Sequence, residues 1–524
     1  MVAYTPHRRS AEVFAQMVRA QDLNAATEWI PADRVDALAQ VGTLYLPGPG
    51  LNEAARLRLR AGCAAYSLVG VTHTTASHGA MDSITGLLTA PVMPWDALIC
   101  TSNSVVSTVK VLLEAEAEAL RWRLGSKLQL TVPQFPVIPL GVHCDDFNFA
   151  PEERKAARAA LGIGTDEVVA LFVGRLSFHA KAHPHAMYAG LQAAAQRSGK
   201  PVTLIQCGWF ANESIEKSFS AGAALACPAV KSLFTDGKDP VIRRQSWAAA
   251  DIFISLSDNI QETFGLTPLE AMAAGLPVVV SDWDGYKDTV RDGVDGFRIP
   301  TWMPPPNLGE GFARLHEAGV ENYDFYCGLT CQTVSVDGQV LSERLASLIV
   351  NPALRLSLGE AGRARAREVF DWKVIYQQYL RLYADLAGLR QSAAGKPEWQ
   401  ARIAAAPKCA PSRLDPFLSF GHYATAMIQP TSVIRAAVDS SRLAYETLAA
   451  NGLFSYAKKI LPSAELVEQI LAMLGNDGRD IATLAQGLGT DTGTMILAIA
   501  VLAKMDMVRL EDVAPADLMQ QNPS

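Results

Sequence analysis

Short apolar runs alternate with longer amphipathic stretches through most of this chain, the pattern of an α/β protein with parallel strands. Ile252 to Leu256 and Val278 to Val280 are unbroken apolar runs of the kind that fill a sheet buried on both faces. Between them Phe264 to Ala274 predicts a helix, with Pro268 tolerated in its first turn and Gly275 closing it. Upstream, Val168 onward predicts a strand ending at Gly174-Arg175, then a loop and a helix to about Ser198. Val202 to Cys207 and Lys231 to Phe234 predict further strands, and Val241 to Ala250 a helix. In the first third, helices are expected around Ala11 to Ala20, Glu53 to Gly62 and Val105 to Leu124. Strands are expected at Tyr66 to Val71, at Trp95 to Ser102 and at a segment ending in Ile138 to Val142. Leu341 to Phe370 reads as helical, and Asp371-Trp372 starts another helix.

Two stretches depart from this rhythm. Thr301 to Val336 reads as an insertion, with Pro304-Pro305-Pro306 and the aromatic run Tyr323-Asp324-Phe325-Tyr326, expected to pack on its own domain. Near the end, Ala464 to Leu474, Asp480 to Leu488 and Thr490 to Met505 predict three short helices, with a strand at Met507 to Leu510. The boundaries read from the pattern are 1–143, 144–389, a 390–460 extension or linker, and a 461–514 terminal module.

Composition narrows the class. A length of 524 residues suggests two to four domains, and 49% apolar with 19% charged residues is ordinary for a globular chain. A net charge of −7 argues against a general nucleic-acid binder. The start lacks the charged-then-apolar signature of a signal peptide, and the longest apolar run, Met495 to Ala503, is too short to span a bilayer. Eight cysteines are scattered; Cys327 and Cys331 lie four apart with no second pair to complete a zinc site. The expectation is a cytoplasmic protein with reduced thiols. At most a peripheral membrane contact is expected, through Lys110 to Lys127 with Arg121, Trp122 and Arg123, although its glutamates favour a solvated face.

Candidate chemistry gathers at the carboxyl ends of the predicted strands, where open α/β sheets bind ligands. Glu262 sits just before the predicted helix and Glu270 about one turn inside it. Free backbone N–H groups at that helix start favour an anion, phosphate above all. Arg175 offers a planar charged fork and Lys181 a point charge on a flexible stem, a pair suited to a diphosphate. A strand that stops at Gly174 would let backbone approach such a ligand. Surface cations and a capping glutamate are the plainer alternatives.

Glu262, seven residues, then Glu270, with Phe264-Gly265-Leu266 between, resembles the donor signature of retaining glycosyltransferases of the GT-B fold, glycosyltransferase family 4. The GRL segment at Gly174 to Leu176 followed by Lys181, and Ile138-Pro139-Leu140-Gly141-Val142, resemble further parts of that family's pattern. The resemblance implies two Rossmann-like domains facing a cleft, an acceptor-side one over 1–143 and a nucleotide-sugar-binding one over 144–389 with a helix crossing back. It implies that Glu262 contacts donor-sugar hydroxyls and that Glu270 holds the ribose. Backbone at Gly265 and Leu266 would face the diphosphate, and Arg175 and Lys181 would neutralise it. It also implies a histidine near the sugar, for which His73 is the candidate; His78, His143, His179, His183 and His185 are weaker ones. No metal or other cofactor is expected, and the donor is a nucleotide sugar. The acceptor is a glycan, a lipid-linked or a small molecule. Polysaccharide biosynthesis is the family-level expectation.

The opening MVAYTPHRRSAEVFAQ departs from the family, which begins with a strand and a Gly-rich loop; the expectation is a truncated start. The terminal helices resemble a winged helix. Its last helix is almost wholly apolar, and acids outnumber bases between Asp491 and Asp512, so a protein-interaction or homodimer role is expected over DNA binding. A nucleotide-sugar 2-epimerase of the same fold, a sugar-nucleotide sensor and a non-catalytic scaffold stay open as alternatives.

Overall fold

The computed structural model describes residues 1–21, 25–475 and 478–511. It divides into two units, Met1–Ala410 and Pro411–Ser524.

In the first unit, β1 (Val2–Thr5) pairs in parallel with β2 (Glu28–Pro31). Strands β3 (Thr43–Tyr45), β4 (Ser67–Val71) and β5 (Ala97–Ile99) form a parallel sheet in that order. Six strands follow: β6 (Val168–Leu176), β7 (Val202–Phe210), β8 (Lys231–Asp236), β9 (Ile252–Ser255), β10 (Val278–Ser281) and β11 (Gly296–Ile299). All pair in parallel, in the order β11-β10-β9-β6-β7-β8. The two parallel-sheet halves are the α/β, GT-B arrangement.

Alternation along β6 shows why its apolar run stays a strand. Val168, Ala170 and Phe172 enter the core on one face, with Leu191 and Leu345. Val169, Leu171 and Val173 enter the core on the other, with Trp247 and Met272. In the smaller half, Leu68 and Leu98 pack on Leu51 and Val109. Val69, Val71 and Ile99 on the opposite face meet Ile375, Leu382 and Leu386 from the helix Trp372–Ala394. Between the halves the chain crosses at Val142 and returns at Asp371. The two crossings are bonded together, Val142 N–H to Phe370 carbonyl at 2.9 Å and Trp372 N–H to Val142 carbonyl at 3.1 Å.

The same small half holds a wholly buried ion pair. Arg58 Nη1 lies 2.5 Å and Nη2 2.7 Å from the two carboxylate oxygens of Asp96, and neither side chain is exposed. Asp96 also accepts the backbone N–H groups of Leu68 (2.9 Å) and Met93 (2.7 Å), while Arg58 donates to the Tyr66 carbonyl at 2.8 Å. Burial of the two charges is thereby offset by direct pairing and by backbone partners on both sides.

Three expectations are corrected below. At the opening, β1 is a strand, and the loop Pro47 to Gly50, with two glycines, follows β3 and leads into the helix Asn52–Arg58. Both strands are short and half-polar, so they carry no apolar run. The strand ending at Ile138 to Val142 is absent: Pro133, Pro136 and Pro139 lack the N–H that a ladder needs, leaving isolated bridges at Gln134, Val137 and Val142. β6 does not stop at Gly174 but runs on through Arg175 to Leu176, with Gly174 paired to Gly208 and Arg175 to Trp209. Finally, the 389/390 boundary falls inside the helix Trp372–Ala394.

In the second unit, β14 (Val433–Ala436) lies between β15 (Arg479–Asp480) and β16 (Val508–Leu510), all antiparallel; β12 (Thr301–Trp302) and β13 (Ser335–Val336), a two-stranded pair, belong to the first unit. Helices Ala464–Leu474, Ile481–Gly487 and Thr492–Lys504 bury Ile470, Leu484, Met495 and Ile499 in one core. Ile434 and Tyr445 join that core, so the 460/461 boundary cuts through it. Residues 512–514 of the expected module lie outside the described residues. No single helix among the described residues is long and apolar enough to cross a membrane.

Candidate functional site

The loop after β9 carries Ser257, Asp258, Asn259 and Glu262, all buried, to the start of the helix Leu266–Ala274. Gly265 caps that helix at φ 79°, where a Cβ would stand 2.1 Å from the Tyr286 ring. Only glycine fits both the backbone and the space. Phe264 is 1% exposed, so its side chain belongs to the core and only its backbone faces outward chemistry. Pro268 lacks an N–H, which leaves Gly265, Leu266 and Thr267 to supply donors at this helix start.

Glu262 forms a salt bridge with Lys181, whose Nζ contacts Oε2; the carboxylate is nearly buried and the lysine half-buried. Arg175 Nη2 donates to the Ala180 carbonyl (2.7 Å) and to Gln261 Oε1 (3.1 Å). Asn259 Nδ2 reaches the His179 carbonyl at 2.9 Å, and the His183 N–H reaches Asp258 Oδ1 at 3.1 Å. The Lys181 loop and the Glu262 loop are therefore stitched into one wall. His73 is exposed at the end of β4, and its carbonyl accepts the Thr263 hydroxyl at 3.1 Å. So Glu262, Lys181, Arg175 and His73 converge, although their positions span about half the unit.

Glu270 lies in a separate compartment. A pocket of about 510 Å³ is lined by Glu270, Leu266, Arg243, Lys238, Trp247 and Trp372 among others. Arg243 Nη2 contacts Glu270 Oε1 at 3.2 Å, while Oε2 is buried with no partner. Burial raises the Glu270 carboxyl above its ordinary range, and Arg243 opposes the rise. A buried acceptor left open beside a pocket is suited to ligand hydroxyls. Sequence reasoning missed Arg243, Lys238 and Trp372. Asp239 caps the helix Pro240–Ala249 at the same sheet edge, accepting from Val241 N–H at 2.8 Å, and that Asp-Pro signal was available.

Helices Glu310–Glu317 and Tyr323–Cys331 of the insertion touch both halves, correcting the expectation that it packs on its own domain. The Tyr323 hydroxyl lies 3.4 Å from Thr74 Oγ1, and the His316 ring stacks on His78 with centroids 3.8 Å apart. On the other side, Gly328 packs against His179, since a Cβ there would stand 2.9 Å from the His179 Cβ. The insertion thus seats beside the Lys181 loop. Its contacts to the smaller half are made by aromatic and imidazole rings whose partners lie over two hundred positions away, which no local pattern reveals.

Asp258 is buried, and burial pushes its carboxyl up to about 7 against bonds from His183 and Cys331. Its folded value exceeds its unfolded one, so its contribution to stability is full below about pH 4 and lost as pH rises through about 7. Asp258→Asn is expected to flatten the fall in Tm between pH 5 and 8, measured against wild type; parallel curves would refute this role for Asp258.

Residues 153–317 match the family model of the glycosyl transferases group 1. The chain is 34% identical over 171 residues to the D-inositol 3-phosphate glycosyltransferase of Geodermatophilus obscurus, covering 31% of this chain and 36% of that protein. It is 26% identical over 336 residues to the alpha-maltose-1-phosphate synthase of Mycolicibacterium smegmatis, covering 62% and 75%. The crystal structure of HepE from Anabaena in complex with UDP aligns with a TM-score of 0.46 at 16% identity, over 71% of this chain and 89% of that one. The match to the first of these relatives spans about a third of its length. What the likeness to the glycosyl transferases group 1 covers is the segment from the helix Pro151–Ala160 through β11 and into the insertion.

Proposed function

We propose that this chain transfers a glycosyl group from a nucleoside-diphosphate sugar to an acceptor hydroxyl, with retention of anomeric configuration and without a metal ion. The observation that carries the reading is the division of labour between the two glutamates. Glu270 offers an unpartnered buried oxygen beside a pocket of about 510 Å³, and Glu262 is ion-paired with Lys181 outside it. The helix start at Gly265 lies between them, where a diphosphate would meet N–H donors.

In this reading the acceptor oxygen bonds to the anomeric carbon on the face the diphosphate leaves. The bond from that carbon to the phosphate oxygen breaks, and the acceptor proton passes to the departing phosphate. Charge grows on the phosphate, and Lys181, Arg175 and the helix start stabilise it there. Stabilisation of developing charge by groups already in place is usually what lowers such a barrier most. Lys181 is held by Glu262 before the donor arrives, so its ammonium is pre-positioned rather than recruited from solvent. His73 would line the sugar side, its backbone fixed by Thr263. For the second unit, whose last helix turns Met495, Ile499 and Leu502 inward, a protein-contact role fits better than a DNA-reading one.

A thermal-shift screen against UDP, GDP, ADP and TDP sugars tests the assignment. Ligand at about 100 times its Kd should add about 2.7 kcal/mol, several degrees in Tm. Glu270→Ala should abolish the shift. If no nucleotide sugar moves the melting curve, the transferase reading fails.

A further inference from the structure

Asp284 stands apart from its surroundings. It is one of only four non-glycine residues with positive φ among the described residues, at φ 42°, a left-handed conformation that costs an L-residue stability. Such a residue persists where its surroundings hold it, and the informative question is what they gain. Asp284 Oδ1 lies 3.3 Å from Ser102 Oγ. Ser102 is wholly buried and caps the helix Asn103–Leu124 of the smaller half, accepting the Val105 N–H at 3.2 Å. The same hydroxyl donates to the Thr263 carbonyl at 2.9 Å, one residue after Glu262. Four residues beyond Asp284, Asp288 Oδ2 takes the Asn103 N–H at 2.6 Å and Oδ1 takes Asn103 Nδ2 at 3.2 Å.

Two carboxylates of the larger half therefore grip the N-terminus of a 22-residue helix of the smaller one, the polarity a helix dipole favours. Beside this contact lies the Glu262 turn, whose Thr263 carbonyl takes the Ser102 hydroxyl. Gly285 presses on it, since a Cβ there would meet the Phe264 Cα at 2.5 Å and the Thr263 carbonyl at 2.7 Å. On the far side, His73 holds the Thr263 hydroxyl. The turn that presents Glu262 is thus held from the smaller half through Ser102 and His73 together.

We propose that Asp284 and Asp288 form a clasp on the start of the Asn103–Leu124 helix, which makes seating of the two halves and placement of Glu262 a single event. Asp284 is a positioning residue: it acts on Glu262 through Ser102 and Thr263 and touches no reacting atom. When the helix seats, Ser102 fixes the Thr263 carbonyl and Glu262 is held toward Lys181. When it leaves, the turn loses its partner from the smaller half. The consequence for catalysis rests on the glycosyl-transfer reading; the mechanical coupling does not.

Hydrogen exchange on the free, full-length chain tests the coupling without any ligand. Asp284→Gly suits the φ and removes only the carboxylate, so the fold should hold, with Tm within about 2 °C of wild type. The amides of Asn103, Val105 and Glu262 should nonetheless exchange about tenfold faster together, the value of one lost hydrogen bond. Asp288→Asn should do the same at Asn103 and Glu262, and Asp284→Asn, which tolerates this φ and can still pair with Ser102, should restore the wild-type rates. Unchanged exchange at Glu262 in Asp284→Gly would overturn the proposal, as would a loss confined to Asp284 and its chain neighbours. A second readout uses turnover of whichever nucleotide sugar the thermal-shift screen selects. Asp284→Gly should lower kcat about tenfold, with donor KM little changed, and Asp284→Asn should recover it. A uniform loss in KM instead would count against positioning. If no nucleotide sugar is turned over, the transferase reading falls while the exchange result still decides the clasp.

Discussion

Glu262→Gln is expected to lower the transfer rate by about 10²- to 10³-fold while nucleoside-diphosphate affinity stays within about threefold of wild type. The amide keeps the volume and the hydrogen-bonding reach of the carboxylate. What it removes is the nearly buried charge that faces the half-buried Lys181. Lys181 then loses the charged partner that sets its rotamer, and on the proposed transferase reading the sugar loses an anionic acceptor in the transition state. Because Glu270 and Arg243 occupy the other compartment, the nucleotide should bind almost as before. Kinetics with varied donor, paired with nucleotide titration, separates the effects. A Glu262→Gln enzyme with unaltered kcat would remove this residue from the chemistry. One with undiminished kcat but weakened nucleotide binding would mean that the two glutamates have been assigned the wrong way round.

The largest effect on stability is expected far from that site. Arg58→Met should cost about 3–5 kcal/mol, because it strands the Asp96 carboxylate where neither side chain meets solvent. The double variant Arg58→Met/Asp96→Asn should recover part of the loss. Asn is neutral and still accepts from the backbone, though it cannot receive Leu68 and Met93 on two separate oxygens as Asp96 does. Urea midpoints of the single and double variants measure both quantities. A double variant less stable than the single would show that the anion, rather than its being unpaired, holds β4 and the Met93 turn.

Legibility in the sequence followed the range of the interaction. The strands around β6, β9 and β10 were visible because each buries consecutive apolar residues on two faces, and the helix Leu266–Ala274 because its proline and glycine mark its ends. The pairing of Glu262 with Lys181 was reachable once both loops were placed at one sheet edge. Arg243 on Glu270, Ser102 on Thr263 and Tyr323 on Thr74 were not reachable, since each joins segments whose order in space is fixed by the fold rather than by spacing. The failures at β1, β3 and the Pro133 to Pro139 segment have local causes. Three- and four-residue strands carry no period, and prolines beside a strand mimic a strand without its hydrogen bonds.

The crossing at Val142 and Asp371 sets how the halves can behave. A ribbon of two bonded extended segments, one leaving and one returning, bends readily across its width but resists sliding and separation, since either would break both backbone bonds at once. Any movement of the smaller half that keeps both bonds would therefore have to bend this ribbon. A side chain at Gly141, where a Cβ would meet the Trp372 ring at 2.6 Å, would disturb this ribbon directly. On the proposed transferase reading such a change would act on every substrate alike, and discrimination between them would lie on the surfaces that face each other across the ribbon.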